Sequence, residues 1–425
     1  MTTGHSHPAP TSATPTAKPA TTKSASAQRM DWPDIAKGVS ILGVVLLHVT
    51  LAIPGANETL LAQLNLLLDP LRMPLFFLVS GFFSVKVLNQ TFGELFRGRL
   101  WFYLIPYLIW TPINLYTYRL EGTIFTGRAP AELEWYAQTM ALATNMYWFL
   151  YFLILFNVIL WATKKLPGWA IVAVVAAPWL FMPAYSEYEL LRKTIIYLPL
   201  FMIGAYFRPL ITRFAEAATK PAAIVFAVVL YVAGLAVNVV ADAIRVAENR
   251  GATMVWLIHL RDQFADALGG QLTGFDMNHI PSLIIRILSI PAGIVLCVWL
   301  SKLGPIASFL KMVGRHTLPI YIGHALGLTL IFGFSLRWRF MKIDNAAESM
   351  WYHTNTWMVI AFACAMLGGY LMYLLSKIPV LGWTMVPPRL PESKVVSGGP
   401  SDAETTDARI AEAKGLPEPE ATSPR

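Results

Sequence analysis

The residues of this 425-residue chain best suited to chemistry begin at Asp34-Ile35-Ala36-Lys37-Gly38 and end at His48. On a helix of 3.6 residues per turn, the eleven positions from Lys37 to His48 span about three turns, so both side chains share a face, with Asp34 one turn earlier. The stripe Asp34, Lys37, Ile41, Val45 and His48 is polar at its ends and apolar in its middle. At 1.5 Å per residue, His48 lies about 16 Å beyond Lys37. A cation at one end suits a polyanionic ligand, and an imidazole, which titrates near neutral pH, suits general-base chemistry. The plainer alternatives are a neutral His48 bonded to a neighbouring helix, and an Asp34 that orients or neutralises Lys37.

Three further constellations carry charge into apolar surroundings. Arg72 precedes Met73-Pro74-Leu75-Phe76-Phe77 and Ser80-Gly81-Phe82-Phe83. It reads as either a snorkelling anchor or a ligand contact. Pro74 should loosen the helix it sits in, and Ser80-Gly81 offers a small surface for close helix approach, a packing role rather than a nucleophile's. Arg97 and Arg99 follow in Phe96-Arg97-Gly98-Arg99-Leu100-Trp101. Guanidinium groups there can hold lipid phosphates or the phosphates of a soluble co-substrate. Last comes Gly314-Arg315-His316-Thr317-Leu318-Pro319-Ile320-Tyr321-Ile322-Gly323-His324, with His316 at a membrane boundary and His324 about two turns deeper. An ionisable group inside a membrane is costly and is a functional candidate by default.

The elements that position these residues are membrane helices. Hydrophobic residues make up 56% of the chain and charged ones only 14%, against roughly 25% charged in soluble domains; the mean hydropathy is +0.52. Apolar runs at about 35–53, 66–87, 100–118, 146–163, 167–183, 195–210, 222–240, 280–300, 317–335 and 355–375 have near the length that a hydrocarbon core of roughly 30 Å requires. The fold class expected is therefore an all-α integral membrane protein of about ten transmembrane helices. Domain boundaries fall at a disordered tail over 1–29, a polytopic membrane domain over 30–386 and a second disordered tail over 387–425. The first tail has no apolar segment of the kind a signal peptide needs, and the stretch Trp135–Thr144 reads as interfacial.

Lys86, Arg97, Arg99, Lys164, Lys165, Arg208, Arg213, Lys220, Lys302, Lys311 and Arg315 cluster in alternate short gaps, which assigns those gaps and both tails to the cytoplasmic side of the cell membrane. The other gaps are richer in acids, among them Glu58, Glu121, Glu134, Glu187 and Glu189. The longest, about 241–279, holds Asp242, Glu248, His259, Arg261, Asp262 and Asp266 and is either a cover for an outward cavity or a solvated connector. The net charge of +8 follows from this topology rather than from nucleic-acid binding. Cys297 and Cys364 both lie inside apolar runs, which excludes a disulfide framework; no zinc motif or phosphate-binding loop is present.

Together these segments resemble the membrane acyltransferase 3 family, the multi-pass bacterial O-acyltransferases. The resemblance rests on Asp34 to Gly38 running to His48, on Met73 to Phe77 with Ser80-Gly81-Phe82, on Arg97, Arg99 and Pro106-Tyr107, on Trp148-Phe149-Leu150, and on Gly314 to Tyr321 before His324. It covers roughly residues 30 to 375, with the motifs in family order. It implies acyl transfer from cytoplasmic acyl-CoA, often acetyl-CoA, to a hydroxyl of an envelope glycolipid or glycan, with no tightly bound cofactor. His48 takes the place of the family's key histidine. Lys37 stands where many members have arginine, keeping the charge but losing the planar fork. Arg97 and Arg99 are two residues apart, where the family's arginine pair is four apart. The three are the expected acyl-CoA contacts, with Asp34, Arg72 and His324 in support.

The Thr-, Ala- and Pro-rich tails have an actinobacterial flavour, and the acceptor expected from that is a mycolate-type glycolipid such as trehalose monomycolate, with a polysaccharide or peptidoglycan hydroxyl as the other option. Membrane lipids and envelope-synthesis or export proteins are the remaining expected partners. The competing reading is a secondary transporter or lipid exporter that uses His48, His324 and Lys37 as a proton relay, although no internal repeat supports it.

Overall fold

In a computed structural model, residues 30–181, 188–250 and 279–391 are described, together with Met1 and Gln263. Every regular element among them is helical. Contacts divide the chain into residues 1–387 and 388–425, and only the first few residues of the second unit are described.

The first helix, α1 (Trp32–Ala52), starts where Asp31, Pro33 and Asp34 predict, with proline in its first turn and an acid near its N-terminal dipole. Next come α2 (Leu60–Leu67), α3 (Asp69–Phe82), the short α4 (Phe92–Leu95), α5 (Trp101–Thr126), α6 (Leu133–Ala141), α7 (Trp148–Thr163) and α8 (Gly168–Ala176). The second half holds α9 (Glu189–Tyr206), α10 (Arg208–Ala217), α11 (Pro221–Arg250), α12 (His279–Leu300), α13 (Gly304–Arg315), α14 (Thr317–Leu326) and α15 (Thr354–Leu375). Two segments wind as π-helix, Phe96–Leu100 before α5 and Gly327–Arg337 after α14.

Helix α1 is central. It packs against α3, α12, α13, α14 and α15, and 56% of its apolar window is buried, whereas only 11% of the window in α11 is. The outer face of α11 is thus left for lipid. Helices α3 and α9 approach backbone to backbone: a Cβ on Gly81 would fall 1.9 Å from the Phe201 carbonyl oxygen, and one on Gly204 would fall 2.0 Å from that of Leu78. The small surface read at Ser80-Gly81 is used for helix approach, as expected.

The described parts of the ten apolar runs fall mainly on helix, and fewer than ten of them have the length and composition of a full span. Among the described residues, six segments are long and apolar enough to cross a membrane: Trp32–Ala52, Asp69–Asn89, Pro221–Ala241, His279–Leu300, Thr317–Phe340 and Thr354–Leu375. A seventh is obtained if α9 and α10, bent by 80° at their junction, act as one. The fourth and fifth runs form shorter apolar helices. The third, α5, runs on past 118 to Thr126. Glu121, read from sequence as a loop acid, lies inside that helix, buried, and accepts a hydrogen bond from Trp338 Nε1 at 2.8 Å. Glu189 likewise opens α9, and Glu134 lies in the first turn of α6. Of the long acid-rich gap, His259, Arg261, Asp262 and Asp266 lie outside the described residues, as do Glu187, 2–29 and 392–425.

Candidate active site

The N-terminal end of α1 carries a charge network. Asp34, almost fully buried, pairs through Oδ1 with Lys37 Nζ at 2.9 Å and through Oδ2 with Arg315 Nε at 3.2 Å. Lys311 Nζ reaches Asp31 Oδ2 at 2.9 Å. Two glycines allow α1 and α13 to come this close, since a Cβ on Gly314 would meet the Asp34 carbonyl oxygen at 1.8 Å and one on Gly38 the Leu310 carbonyl oxygen at 2.3 Å. Asp34 thus restrains Lys37 rather than silencing it. A lysine ammonium has three N–H donors and Asp34 takes one. Arg315 is half exposed, so its bridge is worth on the order of 0.5–1 kcal/mol.

Arg97 and Arg99 sit on the π-helical turn, launched by a capping box in which Thr91 Oγ1 accepts from Glu94 N and Glu94 Oε2 accepts from Thr91 N. The Thr91 backbone N–H, at 2.8 Å, holds the Glu94 carboxyl below its ordinary pKa. Side chains two residues apart on a helix do not face each other, and the two arginines diverge. Arg97 lies beside Gly93 on the preceding turn. Arg99 turns inward, donating to Ser84 Oγ, to the Phe83 carbonyl at 2.8 Å and to Asn157 Oδ1 at 3.5 Å.

Lys37 and Arg99 meet in the wall of a cavity of about 250 Å³, together with Ser80, Phe149, Thr317 and Tyr321. Among the described residues, no carboxylate belongs to that wall. Tyr321 joins two helices: its hydroxyl donates to the Met146 carbonyl at 2.8 Å and accepts the Phe149 N–H at 3.1 Å. The second bond satisfies one of the backbone donors left open in the first turn of α7. Tyr147 reciprocates, donating to the Ile322 carbonyl at 2.7 Å. The Trp148-Phe149-Leu150 motif is therefore where α7 is fastened to α14.

Beyond Tyr321 lies the histidine pair. Its ring centroid is 5.9 Å from that of His324, and His324 is 5.3 Å from His48 at an interplanar angle of 34°. His324 is fully buried and His48 half-buried. The stripe expected on α1 is real, with Asp34, Ile41 and Val45 all buried along the same inner face. Arg72 does not snorkel. It is 4% exposed, and its stem packs over Gly43, where a Cβ would fall 2.8 Å from its Cδ. Its guanidinium pairs with Asp69, which Arg286 also approaches at 3.6 Å. His316 stays at the edge of the bundle, its Nδ1 bonded to the Met312 carbonyl at 2.8 Å and its ring edge-on to Tyr373.

The structure thus joins Asp34, Lys37 and Arg99 at one end of a path and His48, His324 and Arg72 at the other, and it sets Arg97 aside. Sequence reasoning missed the roles of Arg315 and Tyr321, although both belong to the Gly314–His324 motif. It also missed Ser84 and Asn157, which give no sequence signal. Larger cavities of about 490 and 540 Å³ are lined almost wholly by apolar side chains and include none of the sequence-predicted site residues.

No curated protein and no solved structure gives a significant match to the chain. The family model described as the acyltransferase domain, acyltransferase 3, matches residues 30–374, which takes in every residue of the path from Lys37 to the histidine pair. The chain belongs to the membrane acyltransferase 3 family.

Proposed function

We propose that this membrane acyltransferase moves an acyl group, acetyl in the simplest case, from acyl-CoA to a hydroxyl of an envelope glycolipid or glycan. The observation that carries the reading is the shared cavity: two cations, Lys37 and Arg99, stand at a wall with no carboxylate among the described residues, and the same wall reaches Tyr321, next to the histidine pair. An acyl-CoA has matching ends, polyanionic at the nucleotide and reactive at the thioester. The Lys37 and Arg99 end faces the cytoplasmic donor pool, and His48 faces the acceptor. Family membership favours transfer over the transporter reading.

In the reaction, the acceptor oxygen attacks the thioester carbonyl while His48 takes the hydroxyl proton. The carbon–sulfur bond breaks, and the CoA thiolate leaves and receives that proton from the imidazolium. A hydroxyl is a poor nucleophile at neutral pH, which is why a base is needed. A mycolate-type glycolipid is the acceptor to test first, followed by polysaccharide and peptidoglycan hydroxyls.

Lys37→Met and Arg99→Met, each removing one charge-assisted contact, should raise the KM for acetyl-CoA about ten- to hundredfold and leave kcat nearly unchanged. The assay is transfer of radiolabel from acetyl-CoA into an envelope lipid extract by protein in nanodiscs. Equal KM values for wild type and both variants would remove the cavity as the donor site.

A further inference from the structure

His324 has a feature that its place beside His48 does not by itself require. Its Nδ1 lies 3.2 Å from the Ile320 carbonyl oxygen. A carbonyl can only accept, so Nδ1 carries the proton, and in a neutral imidazole the other nitrogen is then a bare acceptor. That atom, Nε2, is buried and has no hydrogen-bond partner among the described residues. A buried polar atom left without a partner costs on the order of 1–3 kcal/mol. The neighbouring ring is His48, at 5.3 Å between centroids. The two rings are not hydrogen-bonded as they stand, but at that separation ring nitrogens turned toward each other come within ordinary hydrogen-bond distance, about 3 Å.

We infer that His324 is a positioning residue that fixes the tautomer of His48: the bare Nε2 of His324 accepts the N–H of His48, leaving the other His48 nitrogen bare and aimed at the acceptor hydroxyl. The inference rests on the proposed acyl transfer for its consequence, though not for its geometry. With the two rings turned to meet, the chain of hydrogen bonds runs from the Ile320 carbonyl to His324 and from His324 to His48. Each member sets the direction of the next, as the orienting group does for the base in nucleophilic triads. When His48 takes the hydroxyl proton, the imidazolium keeps its bond to His324 Nε2, which shares the new charge inside a buried site. Nothing is transferred to His324, and the proton returns to the thiolate from His48.

The test uses the full chain in nanodiscs with isotope-labelled histidine, its eight histidines assigned by single substitutions. In wild type, nitrogen shifts should show His324 protonated at Nδ1 and His48 held in one tautomer. In His324→Phe, which keeps the volume filled and removes the acceptor, His48 should become a mixture of tautomers. Its kcat for label transfer from acetyl-CoA should fall roughly 10²-fold with KM unchanged. His324→Gln places an amide oxygen where Nε2 was and should restore kcat to within about tenfold of wild type, a rescue that a purely space-filling role would not need. A His48 tautomer unaltered in the Phe variant, or a Gln variant as slow as Phe, would overturn the assignment. Should either variant fail to fold, a wild-type His48 present as two tautomers would overturn it alone. A tautomer change in a protein that transfers no acyl group would uphold the pairing and sink the acyltransfer reading.

Discussion

Replacing His48 with alanine is expected to lower acyl transfer by about 10²–10⁴-fold, the range a positioned general base contributes. His48 is half-buried, whereas its neighbours on the inner stripe, Ile41 and Val45, are fully buried, so the substitution removes the base and leaves the packing stripe in place. The effect should appear in kcat, because Lys37, one of the two cations proposed to hold the donor, lies about three helical turns away on α1 and is untouched. In cells, mass spectrometry of envelope lipids and glycans should show one acyl-sized mass missing from a defined species at normal protein abundance. That species identifies the acceptor. An unchanged acylation profile would withdraw His48 as the base and return weight to transport.

The largest structural effect is expected at the crossing of α1 and α13. Gly314→Val places a branched side chain where even a Cβ would sit 1.8 Å from the Asp34 carbonyl oxygen. The obstacle is backbone, so no rotamer change relieves it, and the helices must separate. Overpacking of this kind costs on the order of 1–3 kcal/mol, and separation also strains the Asp34–Arg315 bridge. We expect the variant to lose monodispersity in detergent, with a lowered Tm, and its surviving fraction to bind the acyl donor poorly. Gly168→Ala, whose added Cβ meets nothing within 4 Å, is the control and should leave the Tm unaltered. Equal Tm values for the two variants would mean that the crossing tolerates a wider spacing than the glycines suggest.

Much of this arrangement is legible in the linear chain because helical periodicity is a local rule. The stripe from Asp34 to His48 follows from spacing alone, as does the placement of Pro33 and Asp34 at a helix start. The span count is less legible. Hydropathy marks where apolar helix is, but not whether a 16-residue segment such as Trp148–Thr163 crosses or is fastened in place by its neighbours. The extent of α5 was hidden because Glu121 looks like a loop residue until the indole N–H that satisfies it, 217 positions away, is known. Arg72 was ambiguous for the same reason, since its inward course depends on a glycine of another helix. Nor does a 3.6-residue period reveal the π-turn at Phe96–Leu100, on which Arg97 and Arg99 part company. What stayed hidden in each case is a contact between distant positions.

That distance has a consequence for how the protein is made. The bonds that hold the mouth of the site, Asp34 to Arg315 and Asp31 to Lys311, close over 281 and 280 residues. Ribosomes add roughly 5–20 residues per second, so α1 waits on the order of 15–55 s after its own synthesis for the helix that clamps it. Throughout that interval the bridge from Arg315 is unmade, while Lys37, on the same helix as Asp34, is already at hand to pair with it. The Asp34–Lys37 pair therefore serves α1 in the nascent chain, before there is a cavity for Lys37 to line.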